Sequence, residues 1–150
     1  MKILQQVYDA IILQLPEKPP EIGGILGGID GVVTEYVIDK VALSDDRKCC
    51  SYEPNINYLN SKIQKWEENE IKFMGIFHTH FGGSSNLSSG DKEYIRNIMN
   101  DMPAGVDCLW FPIAVLPERK FISYKVERGV RIKISKDEIK LKTLKDVNHL

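Results

Sequence analysis

The spacing of apolar residues along the chain predicts several amphipathic helices. Over residues 3–15 apolar side chains recur every three or four positions, and a proline-rich segment then ends the helix. The same spacing predicts helices over residues 56–68 and from about 89 to 101. Ser135 followed by Glu138 has the pattern of a capping box, which predicts a short helix at the end of the chain.

Runs rich in β-branched and other apolar residues predict the strands. Residues 22–29 and 32–41 flank Asp30-Gly31, which favours a hairpin because both central turn positions need a positive φ. Four further strands are predicted over residues 71–79, about 108–116, 120–127 and 130–134. The order of these elements predicts one α+β domain, with a single mixed, largely antiparallel sheet flanked by helices.

The composition is that of an ordinary globular protein. The chain has 150 residues, which is enough for one domain with its own core. Its formal net charge of -1 gives no indication of binding to nucleic acid or to a membrane surface. Because no apolar run approaches the roughly 20 residues of a membrane span, and the first residues are too polar for a secretory signal, we expect a cytoplasmic protein.

The segment from His78 to Asp91 carries the candidate chemistry. His78 and His80 lie two positions apart on a predicted strand, so their side chains project from the same face and can share one metal ion. Gly82 and Gly83 then permit a tight turn, and Asp91 falls in the first turn of the next helix, where its carboxylate can complete the ligand set. Two histidines, one aspartate and a water make a four-coordinate zinc site with an exchangeable position, as catalytic zinc requires. Zinc lowers the pKa of such a water to about 7.

The same residues also have purely structural interpretations. Ser88 and Asp91 fit the Ser-x-x-Asp pattern of a helix N-cap, and two histidines fit a half-exposed strand. Zinc hydrolysis also needs a general base. Glu21, just before the strand over residues 22–29, is the candidate for that base. Its position alone is more typical of a solvated glutamate that follows two prolines.

Two motifs together resemble the JAMM metalloprotease family, also known as MPN+ or JAB1/Mov34. One is Glu21-Ile-Gly-Gly-Ile-Leu-Gly, and the other is His78-x-His80, seven residues, Ser88, two residues and Asp91. The order of elements over about residues 1–130 also resembles the compact prokaryotic form of that domain. This resemblance implies an α+β, cytidine-deaminase-like architecture, with a metallopeptidase domain over residues 1–134 and a helical tail of the same domain over residues 135–150.

The resemblance also implies a role for each residue of the motifs. His78, His80 and Asp91 would bind one zinc ion (Zn2+) per chain, and Glu21 would act as general acid and base. Ser88 would steady the attacking water or donate a hydrogen bond to the oxyanion. The implied reaction is hydrolysis of a peptide or isopeptide bond, typically at the C-terminal tail of ubiquitin or a ubiquitin-like protein. The short chain favours a prokaryotic-type substrate, such as a ubiquitin-like or sulfur-carrier-type protein, and leaves a homodimer open.

One position departs from the family pattern. The family has proline directly after the second histidine, whereas this chain has Phe81. Proline would fix φ and stiffen the end of the strand, so Phe81 is expected to loosen or reshape the lip of the site. Phe81 is also a candidate substrate-binding residue, as an apolar contact for an extended substrate tail, with ordinary packing as the alternative. This departure from the family pattern removes none of the implied metal ligands and leaves the implied base in place.

Two other functions remain open from the sequence. The chain is alternatively a non-catalytic, metal-binding interaction module, although an intact Glu21 favours an enzyme because a structural site needs no base. The second alternative is a small-molecule zinc amidase that uses the same residues. The irregular segment from Ser44 to Asn55 is a candidate flap over the substrate.

The cysteines give no disulfide framework. Cys49, Cys50 and Cys108 are odd in number and two of them are adjacent, which fits a reducing compartment. The adjacent pair also lacks the two-residue gap of a zinc knuckle. We interpret all three as ordinary thiols. The alternative is that one of them lies near the metal site and modulates it on oxidation.

Overall fold

The computed structural model describes residues 1–39 and 52–147, and in that part of the chain it has nine strands and three α-helices. In chain order these are β1 (Lys2–Leu4), α1 (Gln5–Gln14), β2 (Gly23–Ile29), β3 (Val32–Ile38), α2 (Ile56–Glu68), β4 (Lys72–His80), α3 (Ser89–Asp101), β5 (Cys108–Trp110), β6 (Ile113–Val115), β7 (Lys120–Glu127), β8 (Lys133–Asp137) and β9 (Lys140–Lys142). A 3₁₀ turn follows at Leu144–Asp146. Among the helices of these two ranges, none combines the length and the hydropathy that a membrane-spanning helix needs.

All nine strands belong to one mixed sheet. Antiparallel pairing joins β2 to both β3 and β4, and joins β7 to β5, β6 and β8. Parallel pairing joins β1 to β3 and β9, and joins β4 to β5 and β6. The longest ladders are antiparallel, so the predicted α+β class with a mixed sheet is confirmed.

The sheet curls until its two ends approach each other. β8 pairs with β7 near one end of the sheet and β9 is the last strand at the other, yet only two residues separate Asp137, the last residue of β8, from Lys140, the first of β9. Three Cα steps span at most about 11 Å, so the two edges must lie close together. The indole N–H of Trp110 donates to the Asp137 carboxylate over 2.9 Å, and the amine of Met1 contacts the same carboxylate.

Two apolar clusters cover opposite faces of the central strands. The first lies under α1 and includes Leu26 and Phe77, and the second lies under α2 and α3 and includes Ile25 and Ile76. Successive residues of a strand point to opposite faces, so β2 and β4 contribute to both clusters in turn. The alternation also places the side chain of residue 78 on the same face as Ile76, towards α2 and α3.

The helices over residues 56–68 and 89–101 and the Asp30-Gly31 hairpin are confirmed. Both turn residues have a positive φ, at 52° and 77°. The helix predicted over residues 3–15 begins later, at Gln5, because residues 2–4 pair as β1 between β3 and β9. The strand predicted over residues 108–116 is divided into β5 and β6 on either side of Phe111-Pro112.

The helix predicted from Ser135 to the end of the chain is wrong. Ser135 lies inside β8, where it is paired with Lys125 of β7, and Glu138 follows the end of that strand. The pairing satisfies backbone groups of β8 and packs Ile134 against the second apolar cluster, and this tertiary contact overrides the local capping pattern. The strand predicted over residues 130–134 is accordingly shifted to Lys133–Asp137. Most of the candidate flap, Cys49 and Cys50 lie outside the described residues.

Gly24 is required by the close approach of β2 to its neighbours. A Cβ atom there would lie 2.1 Å from the Val37 carbonyl oxygen and 2.8 Å from the Phe77 ring. We expect Gly24→Ala to lower the free energy of unfolding by about 2–3 kcal/mol, as overpacking against backbone does. Gly105→Ala is the control, because a Cβ atom there meets nothing within 4 Å. Urea denaturation measures both, and equal stability of the two variants would contradict the packing of β2.

Candidate metal centre

The two histidines of the motif lie at the end of β4 and face each other. The side chains of His78 and His80 project from one face of the strand, as predicted, and both are buried. Their Nε2 atoms are 3.0 Å apart and their ring centroids 4.8 Å apart. Parallel pairing with β6 and antiparallel pairing with β2 hold the end of β4 inside the sheet, so the backbone fixes both imidazoles.

Asp91 completes the group from the first turn of α3. Its carboxylate oxygens lie 3.3 Å from the Nε2 of His78 and 3.2 Å from the Nε2 of His80. Ser88 caps the helix: its hydroxyl accepts from the Asp91 N–H over 3.0 Å, and its own N–H donates to the Asp91 carboxylate over 2.9 Å. The predicted helix cap is therefore confirmed, and the same cap orients the carboxylate towards the histidines.

These three side chains can hold a metal ion. In a tetrahedral site with metal–ligand distances near 2.1 Å, neighbouring ligand atoms are about 3.4 Å apart. The three separations found here, 3.0 to 3.3 Å, fall within a few tenths of an ångström of that value. A carboxylate and two ring nitrogens so close together bring lone pairs into contact, and either shared protons or a cation must offset their repulsion. Two imidazoles and one carboxylate form the donor set of many divalent metal sites.

The charges within the group are strongly coupled. Burial alone would raise the pKa of Asp91, but the contacts with His78 and His80 outweigh it and hold that pKa well below its usual range. Burial would lower the pKa of His80, and there the hydrogen bond and charge of Asp91 outweigh it, so that the pKa is raised. Asp91 is therefore anionic at neutral pH.

Glu21 lies beside the same group. The backbone N–H of Thr79 donates to the Ile22 carbonyl over 2.9 Å, and Gly23 is paired with His78. Continuing this antiparallel register places Glu21 opposite His80, on the same face of the sheet. Glu21 is buried, and its charge contributes to the raised pKa of His80. The interpretation of Glu21 as an ordinary solvated residue is therefore wrong.

Two aromatic rings that the motif does not contain enclose His78. Tyr52 stacks on the imidazole with ring centroids 6.4 Å apart and an angle of 12° between the planes, and Tyr94 of α3 meets it edge-on at 6.2 Å. The Tyr52 hydroxyl donates to Asp39 over 3.0 Å, which anchors the ring. A Cβ atom at Gly23 would lie 2.6 Å from the Tyr52 ring, so glycine there leaves room for it.

The apolar spacing of the helix predicted over residues 89–101 includes Tyr94, whereas Tyr52 stands in an irregular segment without periodicity. Phe81 is half-buried and packs against the first apolar cluster. This contact agrees with the alternative that Phe81 is an ordinary packing residue, and its contact with a substrate stays a prediction. Cys108 is half-buried on β5, and burial raises the pKa of its thiol, which fits an unreactive side chain.

Comparison with known proteins identifies the fold. The solution structure of protein DSY2949 from Desulfitobacterium hafniense is similar over 95% of this chain and 92% of that one, with a TM-score of 0.66 and 19% identity. The crystal structure of AF2198, a JAB1/MPN domain protein from Archaeoglobus fulgidus, is similar over 95% of this chain and 97% of that one, with a TM-score of 0.55 and 16% identity. No model of a known family and no curated protein matches the sequence. The chain therefore has an MPN-like α+β fold.

Proposed function

We propose that this chain is a zinc-dependent metallopeptidase that hydrolyses a peptide or isopeptide bond at the C-terminal tail of a ubiquitin-like or sulfur-carrier-type protein. The observation that carries the proposal is the convergence of His78, His80 and Asp91 within contact distance, with the buried Glu21 on the same face of an MPN-like fold. A purely structural metal site would need the three ligands and no buried acid beside them.

The proposed ligands would supply two neutral imidazoles and one carboxylate. The low pKa of Asp91 keeps it anionic, while each histidine must lose any Nε2 proton before it can bind a metal. When bound, the ion would supply positive charge that polarises the attacking water and the scissile carbonyl. Tyr52 and Tyr94 would hold the His78 ring in its orientation.

Glu21 would carry the proton between water and the leaving group. Its carboxylate would accept a proton as the water oxygen forms a bond to the carbonyl carbon. The protonated Glu21 would then deliver that proton to the nitrogen as the C–N bond breaks, which leaves a carboxylic acid and a free amine.

Ser88 would stabilise the oxyanion of the tetrahedral intermediate. Its oxygen accepts the Asp91 N–H, so its own hydroxyl proton is available to donate. The start of α3 adds partial positive charge at the same point. Losing one such donor costs an enzyme about 100- to 1000-fold in kcat.

The test of the proposed function is a comparison of substrates. Zinc-loaded protein is incubated with a ubiquitin-like protein that carries a C-terminal extension, and separately with small acyl amides. The proposal expects cleavage of the extension at the end of the tail, inhibition by a chelator and little turnover of the amides. Faster turnover of small amides would favour an amidase, and no turnover of any substrate by the zinc-loaded protein would favour an interaction module.

Tyr52 provides a further check on the site. We expect Tyr52→Ala to weaken zinc binding by about tenfold, because the His78 ring loses the face that orients it. Tyr52→Phe keeps the ring and loses the hydrogen bond to Asp39, so it should bind zinc within about twofold of the unmodified protein. Competition with a chelating dye measures both affinities. Wild-type affinity in Tyr52→Ala would show that the stacking does not orient His78.

A further inference from the structure

We propose that a basic groove beside the candidate metal centre binds an acidic segment of the polypeptide substrate. That this polypeptide is a substrate rests on the function proposed above. The groove consists of two adjoining clefts that share Arg96. The first runs between the start of α3 and β8, and its basic residues are Lys92, Arg96 and Lys136. The second continues past the end of α3 and is lined by Arg128 and Arg131. We call the two clefts together the α3–β8 groove.

The basic side chains of the groove have no acidic side chain beside them in its lining. Neither cleft is lined by an acidic residue. Among the described residues, the ion pairs formed by lysine or arginine side chains involve only Arg119 and Lys125, which lie elsewhere. Lys92 and Arg96 are one helical turn apart, so their like charges repel each other. The arrangement suits a negatively charged partner.

One arginine of the groove is fixed by the fold. The guanidinium of Arg128 donates to the carbonyl oxygens of Met99, Met102 and Pro103 at the end of α3. It therefore caps the helix and keeps its charge at the far end of the groove. Arg96 and Arg131 are exposed and have no such structural bonds among the described residues, so they are available to a partner.

The first cleft of the groove adjoins residues of the candidate metal centre in sequence. Asn86 and Leu87 line this cleft and stand just before Ser88, while Lys92, which also lines it, directly follows Asp91. From Lys92 to Asn100, which lines the far cleft, α3 rises by about 12 Å. That length matches about four residues of extended peptide. A substrate whose scissile bond lies at the metal centre would thus place residues a few positions away over the basic side chains.

A polypeptide fits the groove better than a nucleic acid does. The lining of the groove includes the apolar side chains of Leu87, Ile132 and Ile134. In the described part of the chain β8 pairs with β7 alone, so β8 offers a strand edge to an extended peptide. Single-stranded nucleic acids are bound through exposed aromatic rings on which bases stack. The aromatic residue of this lining, Tyr124, is buried and donates its hydroxyl to the Ser85 carbonyl.

Direct binding tests the groove without requiring catalysis. The probe is a fluorescein-labelled hexaglutamate peptide, followed by anisotropy at low ionic strength, with hexaglutamine as the uncharged control. We expect hexaglutamate to bind, and the double variant Arg96→Glu/Arg131→Glu to bind it at least about tenfold more weakly. The matched control is Lys62→Glu/Lys65→Glu on α2, which changes the net charge equally and should stay within about twofold of the unmodified protein. Equal loss in both double variants, or equal binding of hexaglutamine, would overturn the proposal.

A second binding experiment distinguishes a polypeptide ligand from a nucleic acid, and cleavage assays then test whether the groove takes part in the reaction. Tighter binding of a labelled oligothymidylate of equal length would overturn the assignment to an acidic polypeptide. In cleavage assays on a ubiquitin-like fusion with glutamates near the scissile bond, Arg96→Glu/Arg131→Glu should raise KM and leave kcat unchanged. Binding of hexaglutamate without any cleavage of fusions would uphold the groove and contradict only the proposed function.

Discussion

Replacing Glu21 with glutamine should abolish hydrolysis while leaving metal binding intact. Glu21 is buried opposite His80 but does not belong to the group of ligand atoms formed by His78, His80 and Asp91. Glutamine has nearly the same shape and cannot take up a proton, so the variant isolates proton transfer from packing. General acid–base catalysis contributes about 100- to 10,000-fold, and we expect kcat to fall by that amount.

Zinc content and kcat of the Glu21→Gln protein are the two readouts. Glu17→Gln is the control, because Glu17 is exposed and forms a surface ion pair with Arg119, so its removal should change neither readout. Unchanged kcat in Glu21→Gln would remove Glu21 from the reaction. A large loss of zinc would instead make it a ligand.

Replacing Asp91 with asparagine should abolish zinc binding without unfolding the protein. The amide oxygen of asparagine can still accept the Ser88 N–H, and asparagine is compatible with the capped turn, so the start of α3 is preserved. The anionic charge is lost, and with it one of three ligands. A ligand at a thousandfold excess over its Kd stabilises a protein by about 4 kcal/mol. Added zinc should therefore raise the Tm of the unmodified protein and leave that of Asp91→Asn unchanged.

The control for this comparison lies on the same helix. Asp101→Asn removes one carboxylate at the other end of α3, where it is exposed, and should keep the full response to zinc. Calorimetric thermal scans with and without zinc measure all three proteins. An undiminished response of Asp91→Asn would mean that zinc binds elsewhere, and a metal-free Asp91→Asn that melts far below the metal-free parent would mean that Asp91 is structural.

Local rules predicted most of the site. The twofold period of a strand put His78 and His80 on one face, and the pattern of a helix cap put Ser88 and Asp91 in one turn. Both depend on residues close together in sequence, which is why the spacing alone sufficed. The same capping box starts α3 and orients the Asp91 carboxylate towards the histidines, so the structural interpretation of Ser88 and Asp91 does not exclude the proposed chemical one.

Contacts between residues far apart in sequence could not be predicted from local patterns. The capping pattern at Ser135 and Glu138 is real as a sequence feature, but pairing of β8 with β7 outweighs it. Tyr52 approaches His78 only because Gly23 leaves space on a neighbouring strand, and no local pattern contains that information. The α3–β8 groove likewise combines a helix with a strand about forty residues later.

The most direct measurement is a zinc titration of metal-free protein in which bound zinc and cleavage of a ubiquitin-like fusion are followed together. The account predicts that one zinc ion binds per chain and that cleavage rises in proportion, reaching its plateau at one equivalent. A folded, metal-free protein that takes up no zinc, or one that cleaves the fusion equally well before any zinc is added, would contradict it.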